Sequence, residues 1–310
     1  MENITSRDAF WNRLYDIAKE DKDVILVSAD MGAPSLDKFR SDLSGQYVNA
    51  GIAEQDALLI ASGLAMEGKK TFAYAIAPFI TLRPYEITKV AVAAMKLPIT
   101  LVGVGAGFSY DDSGPTHHTL EDIALMRLLQ GLEVNNITDS VMASALVDIS
   151  YKMKRPNYIR LDRKPLPIYY DPKEDFSAGL KTFNKGNDLQ IIATGNMVER
   201  AFEVSEELAN KGIQVGVTDV YTFPVNESAL IDSLTDTKRI VTLEEHILPG
   251  GLGSAVCEVL ADHNRLIPCK RIGVDLADGY CYAYGGRENI QTLYGLDKDS
   301  IVKTITNWMK

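Results

Sequence analysis

GIAEQ, at residues 51–55, sets a carboxylate, Glu54, between an expected strand and an apolar helix. Burial there would disfavour its charged form and raise its pKa, so that it could share a proton with a bound heterocycle. The plainer reading is a helix-start glutamate favoured by the macrodipole. A second cluster, DDSGPTHH at 111–118, carries His117 and His118 on a Gly/Pro-rich loop. Imidazoles on a loop held by a rigid scaffold can supply general acid–base groups, although a loop histidine is often just solvated. Adjacent histidines with no third ligand nearby make a poor zinc site. GGLGSA at 250–255 opens a helix after a strand but lacks the Lys-Ser/Thr of a phosphate loop. Close helix–sheet packing is the better reason for those glycines.

Short apolar runs alternate with amphipathic stretches, as βα units around a parallel sheet require. The spacing predicts a helix over 5–20, with Thr5 placed to cap it through Asp8. A buried strand follows at 24–28 and the loop DMGAPS at 30–35. Further helices are expected at 54–67 and 83–96, and strands at 99–103 and 158–161. Pro165, Pro167, Pro172 and the polar stretch after them read as a linker. Beyond it the alternation restarts, with strands at 189–195, 213–220, 239–245 and 271–275. Met197, Val198, Ala201, Val204 and Leu208 form one helical stripe, with Asn196 as its expected cap and Gly212 as its stop. The expected fold class is α/β, as two consecutive three-layer domains: 1–168, a linker at 169–185, and 186–310.

Length and composition agree. With 310 residues the prior is two domains, and no metal or disulfide is needed to hold a core. The 32 basic and 42 acidic side chains give a net charge of −10, with no basic stripe for a phosphate backbone. Cys257, Cys269 and Cys281 lack CxxC spacing and are most simply buried apolar side chains. The polar, amphipathic N-terminus does not read as a secretory signal, and no apolar run reaches membrane-spanning length. A cytoplasmic protein that binds neither nucleic acid nor membrane is the expectation.

The order GIAEQ, APFITLRPYE, GPTHH, RLDR and a second α/β domain resembles the transketolases over essentially the whole chain. The likeness is to their C-terminal half, a pyrimidine-binding domain followed by the C-terminal domain. The resemblance implies thiamine diphosphate and Mg²⁺ as cofactors and transfer of a two-carbon ketol unit from a ketose to an aldose, with phosphorylated sugars expected. Glu54 matches the glutamate that hydrogen-bonds N1′ of the cofactor's aminopyrimidine. Phe79 and Tyr85 match aromatic residues flanking that ring, with Leu82 where a further Phe is common. Asp30 corresponds to a loop residue near the thiazolium. His117 matches the histidine that contacts the substrate oxygen or moves its proton. Arg163 matches an arginine that holds the terminal phosphate, with Arg7 and Ser35 as looser candidates. His118 stands where glutamine is usual and joins the substrate-binding candidates.

Other departures are informative. Ser113 replaces the usual Asp before GPTH, with Asp111 and Asp112 just upstream, and Gly105 stands where a phosphate-binding histidine is expected. No GDG motif occurs anywhere in the chain. Oxygen ligands for Mg²⁺ and the diphosphate site must then come from a second polypeptide, and an α2β2 assembly follows, this chain being inert alone. Two enzyme alternatives share the resemblance: the E1 β chain of a 2-oxo-acid dehydrogenase and a 1-deoxyxylulose-5-phosphate synthase-like enzyme. A regulatory paralogue that only binds is the non-enzymatic alternative.

Overall fold

The computed structural model describes residues 4–32 and 34–310, and these divide into two compact units. The first comprises the described residues up to Ala106 together with Leu125–Glu174, the second Gly107–Ala124 together with Asp175–Lys310.

In the first unit the strands are β1 (Val24–Ser28), β2 (Tyr47–Asn49), β3 (Lys70–Ile76), β4 (Ile99–Val104), β5 (Glu133–Asn136) and β6 (Asn157–Leu161). They lie in the order β5-β6-β4-β3-β1-β2, and every pairing among them is parallel. β1, β4 and β6 are buried along their whole length. Burial along the whole strand is what a sheet covered on both faces demands. The helices are α1 (Ser6–Glu20), α2 (Asp37–Asp42), α3 (Glu54–Met66), α4 (Ala77–Thr81), α5 (Tyr85–Ile87) and α7 (Ser140–Lys152), while α6 (Asp122–Arg127) has its first three residues in the second unit and its last three in the first. The Thr5 side chain accepts from the Asp8 amide, so α1 starts as its sequence requires. Phe10, Trp11, Leu14 and Ala18 of α1 are buried, with Trp11 packed edge-on to Tyr74 of β3 at 4.6 Å. Burying side chains such as Phe10 and Leu14 contributes about 1.5–3 kcal/mol each.

One expected helix is broken. Over 83–96 the chain forms α5 and then a π-helical segment, Thr88–Ala94. Pro84 has no N–H to continue the turn begun in α4. Its carbonyl instead takes both the amide and the hydroxyl of Thr88.

The second unit holds β7 (Leu180–Asn184), β8 (Leu189–Ala193), β9 (Val215–Val220), β10 (Thr222–Phe223), β11 (Ile240–Ile247) and β12 (Cys269–Val274). Five of these form a sheet in the order β12-β11-β8-β9-β7, parallel except for β7 against β9. β7 lies inside the stretch read as linker. Its half-buried residues and its place on the sheet edge explain why it carries no long apolar run. The helices are α8 (Met197–Ala209), α9 (Glu227–Ser233), α10 (Leu252–Asp262), α11 (Arg287–Leu293) and α12 (Lys298–Met309). The stripe Met197, Val198, Ala201, Val204 and Leu208 is buried as its spacing requires. Asn196 does not cap α8: its backbone is already helical, and its side chain accepts no helix amide.

Candidate functional site

Parallel sheets present loops at the carboxyl ends of their strands, where α/β folds place ligands. Asp30 follows β1, α3 follows β2, α4 follows β3, and Arg163 follows β6. The Asp30 amide donates to the Gly51 carbonyl at 2.8 Å, and Asn49 donates to the Asp30 carboxylate at 3.2 Å. The exposed Asp30 therefore stands beside the turn that leads into α3.

Glu54 is the first residue of α3 and is 5% exposed. The surroundings are less apolar than the sequence implied. Arg83 donates to its Oε2 at 3.0 Å, and the Arg83 guanidinium also lies over the Phe79 ring, 4.4 Å from the centroid. Three residues from two strand-end segments thus form one cluster: a buried carboxylate, a half-buried ring and a half-exposed cation. Arg83 was missed in the sequence, although a cation four positions after Phe79 in TLRPYE was the available signal. Tyr85 is half-buried, and its hydroxyl donates to the Leu125 carbonyl at 2.8 Å. Burial pushes that phenol up.

Arg7 and Ser35 meet around Asp8. Arg7 pairs with the Asp8 carboxylate at 3.1 Å and Thr5 donates to it at 2.8 Å. Burial pushes the Asp8 carboxyl up, but Arg7, Thr5 and Ser35 outweigh it and leave it below the ordinary range. Arg163 is half-exposed, next to the buried Asp162.

The GPTHH loop groups with the second unit. Gly107 and Thr119 pair backbone to backbone in both directions, at 3.1 and 2.9 Å, closing the loop between them. The amides of His117 and His118 both reach the Gly114 carbonyl. The half-buried His117 touches Thr116 Oγ1 through Nδ1 at 2.9 Å and faces Tyr110. His118 is buried instead, edge-on to Phe108 at 5.0 Å, and neither ring nitrogen has a hydrogen-bond partner. Burial pulls its pKa down, against the opposing charge of Glu245. Of the two upstream carboxylates, Asp111 accepts the backbone amide of Arg287, and Asp112 accepts the Ser113 hydroxyl.

The glycines at 250–253 do not frame an open phosphate cradle. Glu244 is fully buried, and its oxygens accept the amides of Leu252 and Gly253 at 2.7 and 2.8 Å, so the α10 amides already hold an internal carboxylate. A Cβ on Gly253 would come within 2.7 Å of Thr242 Oγ1 and Arg271 Cδ, which is the close packing the sequence suggested.

The transketolase pyrimidine-binding domain model matches residues 2–168, and the transketolase C-terminal domain model matches 180–301. The chain belongs to the transketolase family. This transketolase-family chain is 36% identical over 312 residues to one of the subunits of the apulose-4-phosphate transketolase of Phocaeicola vulgatus, covering 99% of this chain and 98% of that one. It is 32% identical to a subunit of the 6-deoxy-6-sulfo-D-fructose transketolase of Clostridium sp., covering 98% and 94%. A solved structure described as a split gene transketolase, inactive beta4 tetramer, superposes with a TM-score of 0.88 at 30% identity, covering 98% of both chains. Transketolases depend on thiamine diphosphate, and the residue types here suit its pyrimidine: Glu54 is a buried carboxylate that accepts hydrogen bonds, and Phe79 is a half-buried aromatic ring tied to it through Arg83. Among the described residues no group of three or more His, Cys, Asp and Glu side chains is arranged to hold a metal ion. No described helix is long and apolar enough to cross a membrane.

Proposed function

We propose that this chain is the smaller subunit of a split transketolase. It transfers a two-carbon ketol unit from a ketose to an aldose once a second polypeptide supplies the diphosphate- and Mg²⁺-binding half, as α2β2. The observation that carries the reading is the buried Glu54 at the head of α3, linked through Arg83 to the Phe79 ring. When bound, thiamine diphosphate supplies the nucleophilic carbon and the electron sink of ketol transfer. Glu54 holds the proton at the pyrimidine N1′, and Phe79 and Tyr85 flank that ring. Asp30 contributes from the loop after β1. His117 moves the proton of a sugar hydroxyl, with His118 behind it as the buried, neutral part of the loop. Arg163 grips a terminal anionic group, with Arg7 and Ser35 as secondary candidates. The named relatives support an anionic terminus, since one is named for a sugar phosphate and one for a sulfo sugar.

The partner reading has its own support. α3, which begins with Glu54, leaves Leu59, Ile60 and Met66 exposed, and Ile52 just before it is 81% exposed. Apolar side chains grouped on one element in this way mark a protein interface. The deciding experiment is purification of the chain from its native cells with assay of bound thiamine diphosphate. A stoichiometric partner carrying GDG, together with cofactor, is expected. A lipoyl-bearing complex would make it a 2-oxo-acid dehydrogenase subunit, and recovery alone without cofactor would make it a binding paralogue.

A further inference from the structure

We propose that Glu245 and Arg287 of the C-terminal domain are positioning residues for the Gly107–Ala124 loop and hence for His117. What His117 then does rests on the ketol-transfer reading. The end of β11 reads Glu244-Glu245-His246-Ile247, and each residue has a separate task. Glu244 holds the α10 amides, as described. The other three hold the loop. Glu245 Oε2 accepts the Phe108 amide at 3.0 Å, His246 Nε2 accepts the Ala124 amide at 3.3 Å, and the Ile247 amide donates to the Leu120 carbonyl at 2.9 Å. His246 Nδ1 lies 2.6 Å from the Ile247 carbonyl, so the tautomer with hydrogen on Nδ1 satisfies both contacts.

Glu245 is 2% exposed and Arg287 8%. A carboxylate so buried needs its oxygens filled, and they are. Arg287 donates from Nε at 3.1 Å and Nη2 at 2.5 Å, and Gln291 Nε2 donates at 2.6 Å, in addition to the Phe108 amide. Arg287 also grips the loop a second time, through its backbone amide on Asp111 at 2.8 Å. Phe108 stacks on Tyr294, just beyond α11, at 5.4 Å, and its ring carries the edge contact with His118.

The close approach is built into the backbone. Gly107 has φ +58°, and a Cβ there would overlap the Glu245 carboxylate. Glycine alone both tolerates that conformation and lets the Phe108 amide reach the acid. Removing one partner of such a buried pair leaves the other charge uncompensated, so the loop has one well-defined seat rather than a range of them. A general acid–base group misplaced by about 1 Å loses on the order of 10²-fold in rate. This is how residues of the second domain, which touch neither cofactor nor sugar, would act on the chemistry.

The test uses Arg287→Met, Arg287→Lys and Asp111→Ala. In the full chain, amide exchange of Phe108 and of 109–119 should accelerate in Arg287→Met, while β8 and β9 keep their protection. In the two-chain enzyme, kcat/KM for ketol transfer should fall about 10²-fold with thiamine diphosphate affinity unchanged. Arg287→Lys, which keeps the charge but not the fork, should recover part of the loss. Should Arg287→Met fail to fold, the half-buried Asp111→Ala carries the same readouts in milder form. Unchanged loop exchange and unchanged kinetics in folded variants overturn the proposal. A wild-type enzyme without ketol transfer would refute the functional reading alone, because the exchange arm still decides the positioning.

Discussion

Arg83 is paired with Glu54 at 3.0 Å while its guanidinium covers the face of Phe79. The charge of a carboxylate only 5% exposed is thereby answered by a cation whose own side chain is half in water. Removing the cation leaves a buried acceptor without its charged donor, which costs about 1–3 kcal/mol. Arg83→Met should lower the stability of the cofactor-free chain by that amount in urea unfolding. The double variant with Glu54→Gln should cost less than the two single losses added together. Simple additivity would mean that the pair is not coupled.

Catalysis gives the same carboxylate a second test. Glu54→Ala should reduce ketol transfer by the assembled enzyme roughly 10²- to 10⁴-fold, the range lost when a positioned proton-transfer group is removed. Assembly should be intact by sedimentation. Undiminished turnover would remove Glu54 from the chemistry.

Arg163 is half-exposed at the end of β6, as a residue that meets a soluble anion should be. Losing one charged hydrogen-bonding contact costs about 1.5–3 kcal/mol. Arg163→Ala should therefore raise KM for phosphorylated sugars about 10- to 100-fold with kcat little changed. Unphosphorylated sugars should be indifferent to the change. Equal losses for both classes would assign Arg163 a structural role.

Glu244 makes a prediction about stability alone. Its two oxygens hold the Leu252 and Gly253 amides at the start of α10, within a core that water does not reach. Glu244→Ala leaves those donors unpaired, so the urea midpoint should fall by the equivalent of about 2–3 kcal/mol. An unshifted midpoint would show that water replaces the carboxylate.

Most strands of the two sheets were legible because burial writes a short apolar run into each. VILVS of β1, ITLVGV of β4, IIA of β8, VGV of β9 and IVTL of β11 are such runs. β7 was not legible, since an edge strand of mixed polarity looks like linker. The break at Pro84 was masked by an apolar pattern that a helix and a π segment share. Glu54 could be located from GIAEQ, but Arg83 could not, because their pairing spans 29 positions and depends on β2 and β3 delivering α3 and α4 to the same sheet edge. Glu244 and Glu245 were read only as part of the strand at 239–245, and His246 lay just beyond it. Nothing local in it says that Glu245 meets Phe108, 137 positions away.

His118 carries the prediction most specific to this sequence. Its ring is 4% exposed, and burial holds its folded pKa below the ordinary 6.5. The unfolded chain binds the proton more readily, so stability rises with pH wherever the two states differ in protonation. The contribution is complete above about pH 6.5. It declines as the pH falls below that value toward the lower folded pKa, at no more than about 1.4 kcal/mol per pH unit for one proton. Urea midpoints measured between pH 8 and pH 5 should therefore drop on the acid side, and His118→Gln should flatten that part of the curve. Glutamine also brings hydrogen-bonding groups to a place where neither imidazole nitrogen has a partner, so its stability above pH 7 should be no greater than wild type. An acid-side slope identical in His118→Gln would show that His118 is not the group that takes up the proton.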